Sequence, residues 1–228
     1  MNLKILACAT LLFASCGNSK SPKEEVNVPV TRTEVKHGTE IILVKPEPKG
    51  GMSINEALMN RQSSREYTGE TLSLEELSGM MWAAAGINRP ENGFRTAPSA
   101  LALYPINAYA IFAEGIYHYD AKAHKLVRVA EGDHRQLAGF QDFVYTAPLN
   151  IVYIADLSVY EGKNFPAETV RYICGQDAAG YAENANLYAV GHGLKSITRG
   201  GVKESELFEV IGLDTNRYFL ALAQTAGK

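Results

Sequence analysis

The chain has 228 residues, of which 46% are hydrophobic and 21% charged, a composition that argues for a folded protein and against global disorder. The length suits one substantial domain, and a formal net charge of −3 offers no clustered positive field for nucleic acid. Cys8 and Cys16 lie in the extreme N-terminus, leaving Cys174 alone in the body, so neither a disulfide scaffold nor a structural zinc holds the core.

Residues 1–15 combine Lys4, an apolar run from Ile5 to Phe13 and the small pair Ala14–Ser15, the pattern of a secretory signal. The run is short of the roughly 20 apolar residues needed to span a bilayer. Cys16 follows directly, as in a bacterial lipobox, and acylation of its thiol is expected. That makes the protein an exported lipoprotein, attached to a membrane through lipid. Residues 16–50 then read as the lipidated cysteine and a polar, Pro-interrupted linker with a typical reach of about 30 Å. The apolar patch at 41–44 is compatible with that linker or with an added strand.

The domain is expected over 51–228. Ser53-Ile-Asn-Glu56 forms a capping box, with Ile54, Ala57 and Leu58 on one helical face. Ser73-Leu-Glu-Glu76 repeats the device, and its stripe of Leu74, Leu77, Met81 and Ala84 stops at Gly86. Strands are expected at 107–113, 115–120, 125–129 and 149–155. Pro166 opens a long helix to about Val190, rich in alanine and apolar on several sides, which places it at the centre of the core. LKSIT (194–198), a helix over 204–211 and RYFLALAQ (217–224) complete an α+β order.

Nucleophile-elbow, zincin and P-loop motifs are absent. His118, Asp120 and His124 fall on a strand and its hairpin loop, where solvation explains them better than a metal. Cys174 inside the long helix reads as a buried, inert thiol. GHGLKS (191–196) follows a helix and leads into a strand, the reverse of a dinucleotide fingerprint, so Gly193 reads as helix C-cap punctuation. Two segments stand out, although a solvated helix end would by itself explain the first and a tight structural loop the second. RQSSREY (61–67) sets two guanidiniums and two hydroxyls just after a helix, a donor set suited to phosphate. RTAPSALALYP (95–105) is a small-residue loop that lets a flat ligand approach backbone.

Taken in order, RQSSR (61–65), LSLEELSGMMWAAAGIN (72–88), PSALALYP (98–105) and the GLKS…GG segment (193–201) resemble the flavin-dependent nitroreductase family, in particular its branch related to azoline-oxidising dehydrogenases. The resemblance implies a nitroreductase-like α+β fold: a central antiparallel or mixed sheet packed by helices around the long helix, in a homodimer. It also implies FMN, with Arg61, Gln62 and Ser63 on the phosphate and Arg65 near the pyrimidine edge of the ring. Pro98, Ser99 and Ala100 would come from the other subunit. Thr198, Gly200 and Gly201 would approach the ring through backbone, and Lys228 would reach the phosphate. Because the flavin carries the hydride chemistry, no catalytic side chain is required. Leu101, Ala102 and Gly200 depart from the family pattern, and no Lys-Tyr pair occurs, which disfavours azoline oxidation. The implied activity is hydride transfer through FMN to or from a small molecule, with NADH or NADPH as the candidate donor. Its rival is a non-catalytic flavin- or ligand-binding lipoprotein of the same fold.

Overall fold

The structure, a computed structural model, describes residues 32–47 and 49–228. The expected signal segment and Cys16 lie outside the described residues. Two local devices open the fold. Ser53 Oγ accepts the Glu56 N–H while the Glu56 carboxylate accepts the Ser53 N–H at 2.9 Å, which starts helix α1 (Ile54–Asn60). Ser73 and Glu76 do the same for α2 (Leu74–Ala85), with the Ser73 N–H at 2.7 Å from the Glu76 carboxylate. The α2 stripe meets the core as its spacing predicts, and Leu77, Met80, Met81 and Ala84 are fully buried. The α1 face does not. Ala57 is buried there, but Ile54 and Leu58 stand exposed on the chain surface.

Seven strands make one sheet: β1 (Glu40–Ile42), β4 (Ile106–Phe112), β5 (Gly115–Asp120), β6 (Lys125–Glu131), β7 (Leu149–Asp156), β8 (Lys195–Arg199) and β9 (Tyr218–Gly227). Their order is β1-β6-β5-β4-β7-β9-β8, and every pairing is antiparallel. The apolar patch at 41–44 thus supplies an edge strand, with Ile41 opposite Leu126 and Leu43 buried behind it. A short hairpin of β2 (Ile87–Arg89) and β3 (Phe94–Arg95) stands apart from the sheet, too short for its residues to show a strand period.

Both faces of the sheet are covered, which is why β7 is buried from Leu149 to Ala155 without alternation. On one face lies α4 (Ala167–Gly191), capped by Pro166 rather than containing it, and α2 packs beside it. Small residues permit the close approach: a Cβ at Gly79 would fall 1.9 Å from the Tyr188 hydroxyl. Cys174 is buried in this layer, and burial pushes its thiol pKa up, in keeping with an inert role. On the other face, α3 (Asp142–Thr146) and α5 (Glu204–Ile211) bring Val144, Leu207 and Phe208 onto Tyr109, Ile111, Val152 and Ile154.

Candidate functional site

The Arg/Ser segment leaves α1 with Arg61 as its extended C-cap and runs alongside the edge strand β8. The Ser64 N–H donates to the Ser196 carbonyl at 3.0 Å, and Ser63 forms an isolated parallel bridge with Ser196. Between segment and strand lies a cavity of about 220 Å³, lined in part by Arg61, Gln62, Ser63, Ser64, Lys195 and Ser196. No Asp or Glu lines it. Two cations face neutral hydroxyl and amide groups, so the chemistry suits an anion of phosphate size.

A buried network fixes the rear wall. Asn186 of α4 accepts from Ser196 Oγ at 2.8 Å and from Gln224 Nε2 at 2.7 Å. Its own amide donates to Thr198 Oγ1 and Glu183, both at 3.0 Å. Tyr153 OH completes the chain by donating to Gln224 Oε1 at 2.7 Å. These bonds tie α4 to β8 and β9, so the wall is held before any ligand arrives.

At the end of β8, Arg199 takes the opposite side. Its guanidinium donates to Thr225 Oγ1 at 2.8 Å, Asn150 Oδ1 at 2.9 Å and the Gly201 carbonyl at 3.1 Å, and also to the Ala138 carbonyl. Only 8% of the residue is exposed. Burial pushes its pKa down to about 10, and no carboxylate pairs with it among the described residues. Beyond it, Gly200 and Gly201 are exposed, and a Cβ at Gly201 would meet Phe140 at 3.2 Å.

Other expected site residues are placed differently. Arg65 is exposed and does not line the cavity. Pro98, Ser99 and Ala100 sit against Asp177 and Gly180 of α4, with Ser99 Oγ 2.6 Å from Asp177. From Asp177 to Asn186 is nine residues of helix, about 13 Å along the axis. The Lys228 ammonium pairs with Glu70 at 2.6 Å and Glu76 at 3.4 Å, away from the cavity lining. His118 faces Asn107, and His124 bridges Tyr119 and the Val44 carbonyl, so neither histidine projects toward the Arg/Ser segment. Lys195 and Asn186, which the sequence reading did not single out, take part instead. The signal for Lys195 lay in the GLKS segment.

The fold is an α+β protein built on an antiparallel sheet, with a cavity free of acidic lining residues at its sheet edge. The nitroreductase family model matches residues 58–228, and the chain belongs to the nitroreductase family. A Methanocaldococcus jannaschii protein named as a nitroreductase is 31% identical over 174 residues, covering 70% of this chain and 84% of that one. A crystal structure of a nitroreductase-assigned protein from Ralstonia eutropha superposes with a TM-score of 0.78 at 33% identity, covering 86% of this chain and 93% of that chain. A protein from Exiguobacterium sibiricum, solved in complex with FMN, shares the fold at a TM-score of 0.58 and 19% identity, covering 79% and 90% of the two chains.

Proposed function

We propose that the protein is an FMN-dependent oxidoreductase of nitroreductase type acting on a small molecule. The carrying observation is the acid-free cavity between residues 61–64 and β8, whose Arg61 and Lys195 offer two positive charges to a phosphate monoester. Its volume of about 220 Å³ suits the phosphate end of FMN and not the ring system. The ring would extend along Thr198, Gly200 and Gly201, where glycine leaves the backbone open to a flat ligand. Bound there, the flavin supplies the hydride chemistry. This chain's residues bind and orient it: Arg61 and Lys195 by charge, Gln62, Ser63 and Ser64 by short hydrogen bonds. FMN bound by the Exiguobacterium relative supports the choice of cofactor.

The proposal includes a homodimer. Within one chain Pro98–Ala100 lie about 13 Å along α4 from the cavity wall and line none of it, and the proposal assigns them to the cleft of a second copy. The test is a titration of the purified chain with FMN, followed by flavin fluorescence, and then addition of NADH or NADPH. One FMN per chain is expected. Arg61→Ala should weaken binding about ten- to a hundred-fold, from a charge-assisted contact of roughly 1.5–3 kcal/mol. Absence of FMN binding by the unaltered protein would overturn the proposal. Bound flavin bleached by neither nucleotide would favour the non-catalytic module.

A further inference from the structure

Arg199 is an anomaly that bracing alone does not explain. It is a full positive charge, 8% exposed, answered by neutral acceptors: the Asn150 amide, the Thr225 hydroxyl and the Ala138 and Gly201 carbonyls. A buried charge without a counter-charge is costly, and a neutral donor would brace the same carbonyls at less expense to stability. Its surroundings are unusually tight, since a Cβ at Gly139 would lie 2.8 Å from the guanidinium. Burial to this depth leaves the charge weakly screened by solvent. Its field emerges at Gly200–Gly201, because the Gly201 carbonyl is 3.1 Å from the guanidinium and both glycines are exposed.

We propose that Arg199 is a positioning residue of the flavin cleft: it anchors the Gly200–Gly201 backbone and, through its uncompensated charge, favours the reduced, anionic flavin over the oxidised one. The inference rests on the FMN reading given above. Phosphate binding at Arg61 and Lys195 is the same in both redox states and raises affinity uniformly. A positive charge held against the Gly200–Gly201 backbone, along which the ring is proposed to lie, acts differentially, and only a differential interaction shifts a redox equilibrium.

The experiment uses the FMN-loaded protein and two readouts other than turnover. One is the two-electron midpoint potential of the bound flavin. The other is the affinity for sulfite, which adds to oxidised flavin and leaves the ring negatively charged. Arg199→Met removes the charge at similar volume. It should lower the preference for reduced flavin at least tenfold, a shift of about 30 mV, and weaken sulfite binding at least tenfold. Arg199→Lys keeps the charge and should hold both readouts within about threefold. Asn150→Asp sets a carboxylate where the amide now accepts from Arg199 and should reproduce the Arg199→Met shift. It decides the matter if Arg199→Met does not fold. Unchanged potential and sulfite affinity in a neutralised variant that still binds FMN would overturn the role of Arg199 and leave the functional reading intact. Failure of the unaltered protein to bind FMN would overturn both.

Discussion

Ser99 Oγ donates to the Asp177 carboxylate at 2.6 Å and accepts the Tyr104 N–H at 2.8 Å, so one hydroxyl ties α4 to both ends of a strained loop. Within that loop Leu101, Ala102 and Tyr104 have φ of 54°, 53° and 49°, the left-handed region that costs a residue with a Cβ roughly 1–2 kcal/mol. Such a conformation persists only where its surroundings over-determine it. Asp177 is buried, and desolvation raises its pKa against the opposing effect of the Ser99 bond. Ser99→Ala should therefore lower stability by about 1–3 kcal/mol, by leaving a buried acceptor short of one donor. Urea unfolding measures the loss, and proteolysis should begin within 98–105. An unchanged midpoint would show that Ser99 does not hold the loop.

Lys195 tests the clamp from the strand side. Its side chain is exposed on β8 and lines the cavity opposite Arg61. Lys195→Ala should cost FMN affinity about tenfold, with the urea midpoint unmoved because an exposed lysine contributes little to folding. Inorganic phosphate should protect the unaltered cleft against FMN competitively, and more weakly in the variant. Equal FMN affinity in both proteins would remove Lys195 from the site.

Caps and apolar runs carried the fold because they are local. Ser53 with Glu56 and Ser73 with Glu76 marked two helix starts within four residues each, and β4 and β7 announced themselves by largely apolar runs interrupted by one asparagine each. Short elements escaped, since neither the hairpin 87–95 nor α3 holds enough residues to show a period. The exposed α1 face shows the limit of periodicity, which groups residues on a face without saying what covers it. At the site, Arg61 and Ser63 were legible as a donor-rich run. Asn186 and Lys195 were not, because α4 and β8 bring them to the cavity only in three dimensions. Arg199 reads as an ordinary solvated cation until the fold buries it.

The Asp156–Arg217 pair sets an acid limit on stability. Arg217 donates to both carboxylate oxygens, at 2.9 Å and 2.6 Å, and the Ser158 N–H adds a third bond at 2.9 Å. The Arg217 hydrogen bonds, ahead of the Ser158 contacts, hold the Asp156 pKa down to about 2 from the usual 3.8. A depressed folded-state pKa contributes stability above pH 4 that is lost as pH falls through 2. Arg217 is half exposed, so the effect is modest and weakens with salt. Urea unfolding at pH 6, 4 and 2.5 should show Asp156→Asn less stable at pH 6 and the gap closing toward pH 2.5. A gap constant across that range would contradict the linkage.

The acylation proposed for Cys16 predicts a simple partition. Cys16→Ser should move the protein from the membrane fraction of the producing bacterium to the soluble fraction. Mass spectrometry of the unaltered protein should find an N-terminus beginning at a diacylated Cys16. An intact Met1 on native protein would end the lipoprotein reading without touching the domain over 51–228.

The exposed face of α1 predicts the assembly. Ile54, Leu58 and Met59 are 59%, 56% and 86% exposed, and Met52 beside them is 45% exposed, while the same helix buries Ala57. Full burial of side chains of this kind is worth about 1.5–3 kcal/mol each, so four of them within eight residues are costly to leave in water. A two-fold axis would cover that face on both chains at once and form two identical clefts. Since α1 leads straight into Arg61, a contact on α1 also steadies the phosphate clamp. Light scattering on a chain beginning at residue 32 should give the mass of two chains. Leu58→Glu combined with Met59→Glu places two charges in the contact and should yield monomers whose FMN affinity is at least tenfold weaker, because Pro98–Ala100 of the second copy no longer reach the ring. A monomer that retains one FMN at undiminished affinity would refute the shared cleft, and with it the flavin role given to Pro98, Ser99 and Ala100.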